Sequence, residues 1–132
     1  MLADEADPRW ITQDRFHDPD KGTKGNCYQA CIASWLGLPL SEVPNFIELG
    51  NAMYPAARAF LRDKGYYLLE LPKNRAPDVL YMASGPAARG VYHCVLMKGG
   101  DLVWDTHPSR AGLLSVEEVY VLTPYDPMRL SL

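Results

Sequence analysis

Apolar and polar positions divide this chain into a polar lead, two helical stretches and a series of short strand-like runs. From Asn26 to about Gly37 nearly every position is apolar or small, which predicts a central helix covered on most sides. Asn26 reads as its N-cap, Gly37 as its stop, and Pro39 follows. Leu40 to Phe46, with Pro44, is a connecting segment. A second helix is expected from about Ala52 to Lys64, with Tyr54, Ala56, Ala59 and Phe60 facing inward and Gly65 ending it.

Beyond Gly65 the pattern shortens to strand length. Tyr66 to Leu71 and Val79 to Ala83 read as strands, with loops at 72–77 and 84–90. Val91 to Met97 and Leu102 to Asp105 form a hairpin about Gly99-Gly100. Thr106 to Gly112 is a loop, Ser115 to Glu118 one helical turn, and Tyr120 to Thr123 a last strand. Residues 1–24 form a polar, turn-rich arm with an apolar island at Trp10-Ile11, expected to lie irregularly across the body. Helices first and an antiparallel sheet afterwards make an α+β fold.

Composition narrows the function. At 132 residues the chain fits one domain, residues 1–132, with 48% hydrophobic and 22% charged positions. A net charge of −3 lacks the basic footprint of a nucleic-acid binder. No apolar run approaches the ~20 residues of a membrane span, so neither nucleic acid nor membrane is an expected partner. The acidic start lacks the order of a signal peptide, and the three cysteines are an odd number without scaffold spacing. A reduced, cytoplasmic protein is expected, exported if at all by a route other than Sec.

The chemistry centres on Cys27 in Gly25-Asn26-Cys27-Tyr28-Gln29. A thiol at a helix start lies among free N–H groups and the positive dipole end, which favour the nucleophilic thiolate. His93 and Asp105 lie on the two hairpin strands and complete a candidate Cys-His-Asp triad. Strand parity sets a condition. With a two-residue Gly99-Gly100 loop, Cys94 falls opposite Asp105; a three-residue loop, or a bulge, is needed to put His93 on the carboxylate's face. The competing reading of Cys27 is a buried structural thiol, and of His93 a satisfied core histidine. Cys31, one turn further on, and Cys94 read as packing residues, without a Cys27–Cys31 disulfide. Cys27, Cys31, His93, Asp105 and His107 are zinc-capable types but lack the paired spacing of a zinc site, so neither metal nor cofactor is expected.

An oxyanion needs donors as well. The Cys27 N–H is one, and Gln13 in the arm is the candidate side-chain donor, whereas Gln29 points elsewhere. Asn26, Tyr28, His107 and Arg110 are expected to contact substrate, and the loops 72–77, 84–90 and 106–114 to set specificity. Arg89, Lys98 and Arg110 are candidates for a carboxylate-bearing substrate, or ordinary solvated charges.

At these residues the sequence resembles the papain-like cysteine peptidase superfamily, in particular small bacterial and phage-encoded members related to bacteriocin-processing peptidases. The likeness runs through Gln13, the segment Gly25 to Ser34, Leu36 to Phe46, Val91-Tyr92-His93-Cys94-Val95 and Val103 to Leu113. It implies a papain-like hydrolase domain in which the cysteine-bearing helix packs on the antiparallel sheet that carries the histidine and the acid, with Cys27 as nucleophile, His93 as base, Asp105 as orienting acid and Gln13 as oxyanion donor. The expected activity is cleavage of a peptide, isopeptide or amide bond in a peptide or protein substrate through an acyl-enzyme. Thioesterase or transglutaminase-type acyl transfer uses the same parts, and a catalytically silent binding or adaptor protein is the non-enzymatic alternative.

Overall fold

The computed structural model describes residues 2–126. Helix α1 (Cys27–Leu36) is followed by two 3₁₀ segments, Leu40–Glu42 and Phe46–Ala52, and by helix α2 (Met53–Asp63). Five strands complete the fold: β1 (Tyr66–Leu71), β2 (Tyr81–Pro86), β3 (Tyr92–Lys98), β4 (Asp101–Asp105) and β5 (Glu118–Pro124). They make one antiparallel sheet in the order β1-β5-β2-β3-β4. The class is α+β, with the cysteine-bearing helix on the sheet.

Helix α1 is the centre of the core, as its unbroken apolar composition requires. Ala30, Cys31, Ile32, Ala33 and Ser34 are wholly inaccessible, and the helix packs against Met82, Cys94, Leu96, Trp104 and Tyr120 of the sheet. Each large side chain buried here contributes about 1.5–3 kcal/mol. Gly37 ends the helix in the left-handed conformation (φ 71°), and Arg9 from the arm donates to the terminal carbonyls of Ser34 and Trp35.

Asn26 is not a side-chain cap. Its Oδ1 accepts the Arg15 N–H (2.9 Å), and its Nδ2 donates to Asp14 (2.7 Å) and Gln29 (3.2 Å). The residue instead latches the arm to the start of the helix. In α2 the inner positions are Ala57 and Leu61, with Tyr54, Ala56 and Phe60 half-buried; Ala59 is exposed, because it falls on the outer side of the helical period.

The arm covers the free edge of β4. Ala3 N–H bonds Val103 O, Trp104 Nε1 bonds Ile11 O, and Gln13 N–H bonds Thr106 O. An otherwise open sheet edge is thereby closed.

Strand β2 runs through residues 84–86, where the sequence suggested a loop. Gly85 permits this, since a Cβ there would lie 2.0 Å from the Ser115 carbonyl oxygen. The segment expected as a helical turn at 115–118 is extended along this strand, joined by Leu114 N–H to Pro86 O and Glu117 N–H to Ser84 O, both 2.8 Å.

The hairpin decides the site. Its loop has two residues, with Lys98 opposite Asp101 and Met97 opposite Leu102. The register then slips, so that Leu96 faces Trp104 and Val95 faces Asp105, leaving Val103 as an extra residue in β4. That bulge, rather than a three-residue loop, moves Asp105 to the face of the sheet that His93 and Val95 share.

Candidate active site

Cys27 at the start of α1 and His93 near the start of β3 line one cleft of about 600 Å³, together with Gln13, Tyr28, Cys94 and His107. His93 Nε2 lies 2.6 Å from Asp105 Oδ1, and both side chains are buried. An ionised carboxylate can only accept, so Nε2 carries the proton and Nδ1 is left for the thiol. Cys27, His93 and Cys94 are neighbours in this cleft, and the ring and the second thiol are the two groups that act most on the Cys27 thiol besides burial.

Asp105 is held on both oxygens. Oδ1 also accepts the His107 N–H (2.9 Å) and Oδ2 the Gly112 N–H (2.7 Å). Burial opposes its charge, but His93 and these two N–H groups outweigh burial and keep the carboxyl below its usual range. Burial likewise opposes a charge on His93, yet its bonds to Asp105 and Cys27 raise the ring to about 9. The Cys27 thiol is pushed up by its bond to Cys94 and by burial, against the pull of His93. The bias toward thiolate expected from the helix start is therefore outweighed, and the proton must be removed by the neighbouring ring.

Gln13 is buried at the cleft. Its Oε1 accepts the Thr106 hydroxyl (2.9 Å), and its Nε2 donates to Arg15 O (2.9 Å), which leaves one amide hydrogen uncommitted by these bonds. Gly25 keeps the space beside it open, with a Cβ position 3.5 Å from Nε2. Gln29 points elsewhere, donating to Leu40 O and Val43 O.

The four expected substrate contacts divide evenly. Tyr28 and His107 line the cleft. His107 accepts the Ser109 N–H at Nδ1, and burial followed by the charge of Arg89 lowers its pKa, so the neutral ring presents an Nε2 donor. Asn26 and Arg110 do not reach the cleft. Asn26 is sealed in the arm latch, and Arg110 donates to Asp105 O, His107 O, Thr12 and Glu5 while lying over the Trp104 ring at 4.1 Å. Arg110 fixes the 105–112 loop. Of the loops expected to set specificity, 84–90 and 106–114 reach the cleft and 72–77 does not; the arm residues Phe16 to Pro19 contribute instead. Arg89 stands on the rim, whereas Lys98 lies at the hairpin tip.

Two features had no warning in the sequence. Cys94 shares one buried cluster with Cys27 and Cys31, which strand parity and helix period jointly allow once the register is known. Thr106 and the Gly112 N–H, which hold Gln13 and Asp105, carry no distinctive motif. Among the described residues there is no group of three or more His, Cys, Asp or Glu side chains able to hold a metal ion, and no helix is long and apolar enough to cross a membrane. No protein-family model, curated protein or solved structure matches this chain.

Proposed function

We propose that this protein is a thiol-dependent hydrolase of the papain-like type, acting on peptide, isopeptide or other amide bonds. The observation that supports it most is the convergence of the Cys27 thiol and the His93 ring in one cleft of about 600 Å³, with the ring paired to the buried Asp105 carboxylate. Cys27 Sγ attacks the carbonyl carbon as His93 Nδ1 takes the thiol proton. The Cys27 N–H and the free amide hydrogen of Gln13 stabilise the oxyanion. Collapse breaks the C–N bond, and His93 returns the proton to the leaving nitrogen. A water deprotonated by His93 then attacks the thioester, the C–S bond breaks, and the thiol recovers its proton. Asp105 holds the ring in the required tautomer and stabilises its charged form.

Reaction with a p-nitrophenyl ester, followed by intact-mass and peptide mapping, tests this reading. A single acyl adduct on Cys27, absent from Cys27→Ser and strongly reduced in His93→Ala, is expected. Acylation spread over lysines and unaffected by either change would overturn it.

A further inference from the structure

The wall of the cleft beside the thiol is built from tyrosines whose protons are already committed. Tyr92 OH donates to Glu118 Oε1 and Tyr120 OH to Glu118 Oε2, each at 2.6 Å, and Ser84 Oγ lies 3.3 Å from Oε1. The Tyr54 hydroxyl joins the same network, 3.3 Å from that of Tyr120. Tyr54, Ser84 and Tyr92 line the cleft, and Glu118 stands behind them. Burial disfavours the Glu118 charge, but the phenols and Ser84 hold its carboxyl below its usual range, so a full negative charge sits under this wall.

A phenol has one proton. Since Tyr92 and Tyr120 spend theirs on Glu118, the hydroxyl of the cleft-lining Tyr92 keeps only lone pairs to offer, in front of a fixed anion. Tyr28 extends the wall, edge-on to Tyr54 with ring centroids 6.3 Å apart. Its hydroxyl is buried and, among the described residues, has no hydrogen-bond partner, although the side chain lines the cleft. Apolar rings, acceptor lone pairs and a carboxylate suit a long aliphatic stem ending in a cation. They repel a carboxylate. Arg89, on the rim, exerts its charge on His107.

We propose that the tyrosine wall backed by Glu118 binds the cationic side chain of a lysine- or arginine-bearing peptide next to the bond that Cys27 attacks. The pocket rests on the reading of Cys27 as the nucleophile. It makes Glu118 a specificity-determining residue that acts through the ring wall.

Acyl-dipeptide chloromethyl ketones ending in lysine, norleucine or glutamate test the pocket on the full-length protein, with inactivation read as alkylation of Cys27. The lysyl reagent should react about tenfold or more faster than the norleucyl one, as expected for a cation over aromatic faces beside an anion, and the glutamyl reagent slowest. Raising salt should shrink the lysyl preference in the unaltered protein. Glu118→Gln should bring the lysyl-to-norleucyl ratio to about threefold or less, with the side-chain shape kept. Equal lysyl and norleucyl rates at a Cys27 that iodoacetamide still modifies selectively would overturn the pocket and leave the nucleophile standing. Loss of that selectivity for iodoacetamide would overturn the nucleophile and, with it, the pocket.

Discussion

His93 Nε2 and Asp105 Oδ1 stand 2.6 Å apart with both side chains buried, and one extra residue in β4 is what brings them to the same face. Without the bulge at Val103, Cys94 would face the carboxylate. Asp105→Asn is therefore expected to slow acylation of Cys27 by on the order of 10²–10⁴, because an amide cannot hold the imidazole in the same tautomer while also serving the Gly112 and His107 N–H groups. Acyl-adduct formation rates, compared with near-ultraviolet circular dichroism to confirm folding, check this.

The coupling of thiol and ring sets a pH dependence. Cys27 is raised by Cys94 and burial, and His93 to about 9, so near neutrality the pair holds one proton too many for attack. Alkylation of Cys27 should climb as pH rises through about 9, and His93→Gln should lose that limb. The stability sign is opposite. A ring raised above its ordinary value contributes stability that is fully present below about 6.5 and lost as pH rises through about 9. Urea midpoints at acid and alkaline pH should show that loss in the parent protein, and a smaller one in His93→Gln.

Gln13→Glu separates oxyanion binding from nucleophilicity. A carboxylate cannot donate, so ester turnover should fall by about 10²–10³. Iodoacetamide displacement forms no oxyanion and should slow far less. Parallel falls in both rates would place Gln13 in the scaffold alone.

Gly85→Ala probes the approach of the 114–117 segment to β2. The added carbon meets a main-chain oxygen at 2.0 Å, and that backbone cannot retreat without straining the Leu114 and Glu117 hydrogen bonds. A loss of about 1–3 kcal/mol, read from denaturant midpoints, is expected.

Much of this arrangement was legible before any coordinates. The apolar run from Cys27 to Leu36, closed by Gly37, reads as a covered helix, and the short apolar runs after Gly65 read as strands of a sheet. The candidate triad followed from residue types and parity, with its condition stated as a loop or a bulge. What stayed hidden depends on contacts between distant segments. Gly85 and Pro86 read as loop residues because their strand role is set by pairing with His93 and Tyr92 of a distant segment. Arg110 reads in the sequence as a substrate contact or a solvated charge, yet its planar fork is committed to Thr12 and to two carbonyls, so Arg110→Lys should lower stability without changing substrate affinity. Asn26 looked like a cap because type and position fit one, while its partners, Asp14 and Arg15, come from the arm.

Competitive labelling bears on the shared cleft most directly. Limiting iodoacetamide, with the three thiols quantified by mass spectrometry, should modify Cys27 far ahead of Cys31 and Cys94 although all three are buried, and His93→Ala should abolish that lead. Slow, equal modification of all three thiols, unchanged by loss of the imidazole, would contradict a catalytic Cys27.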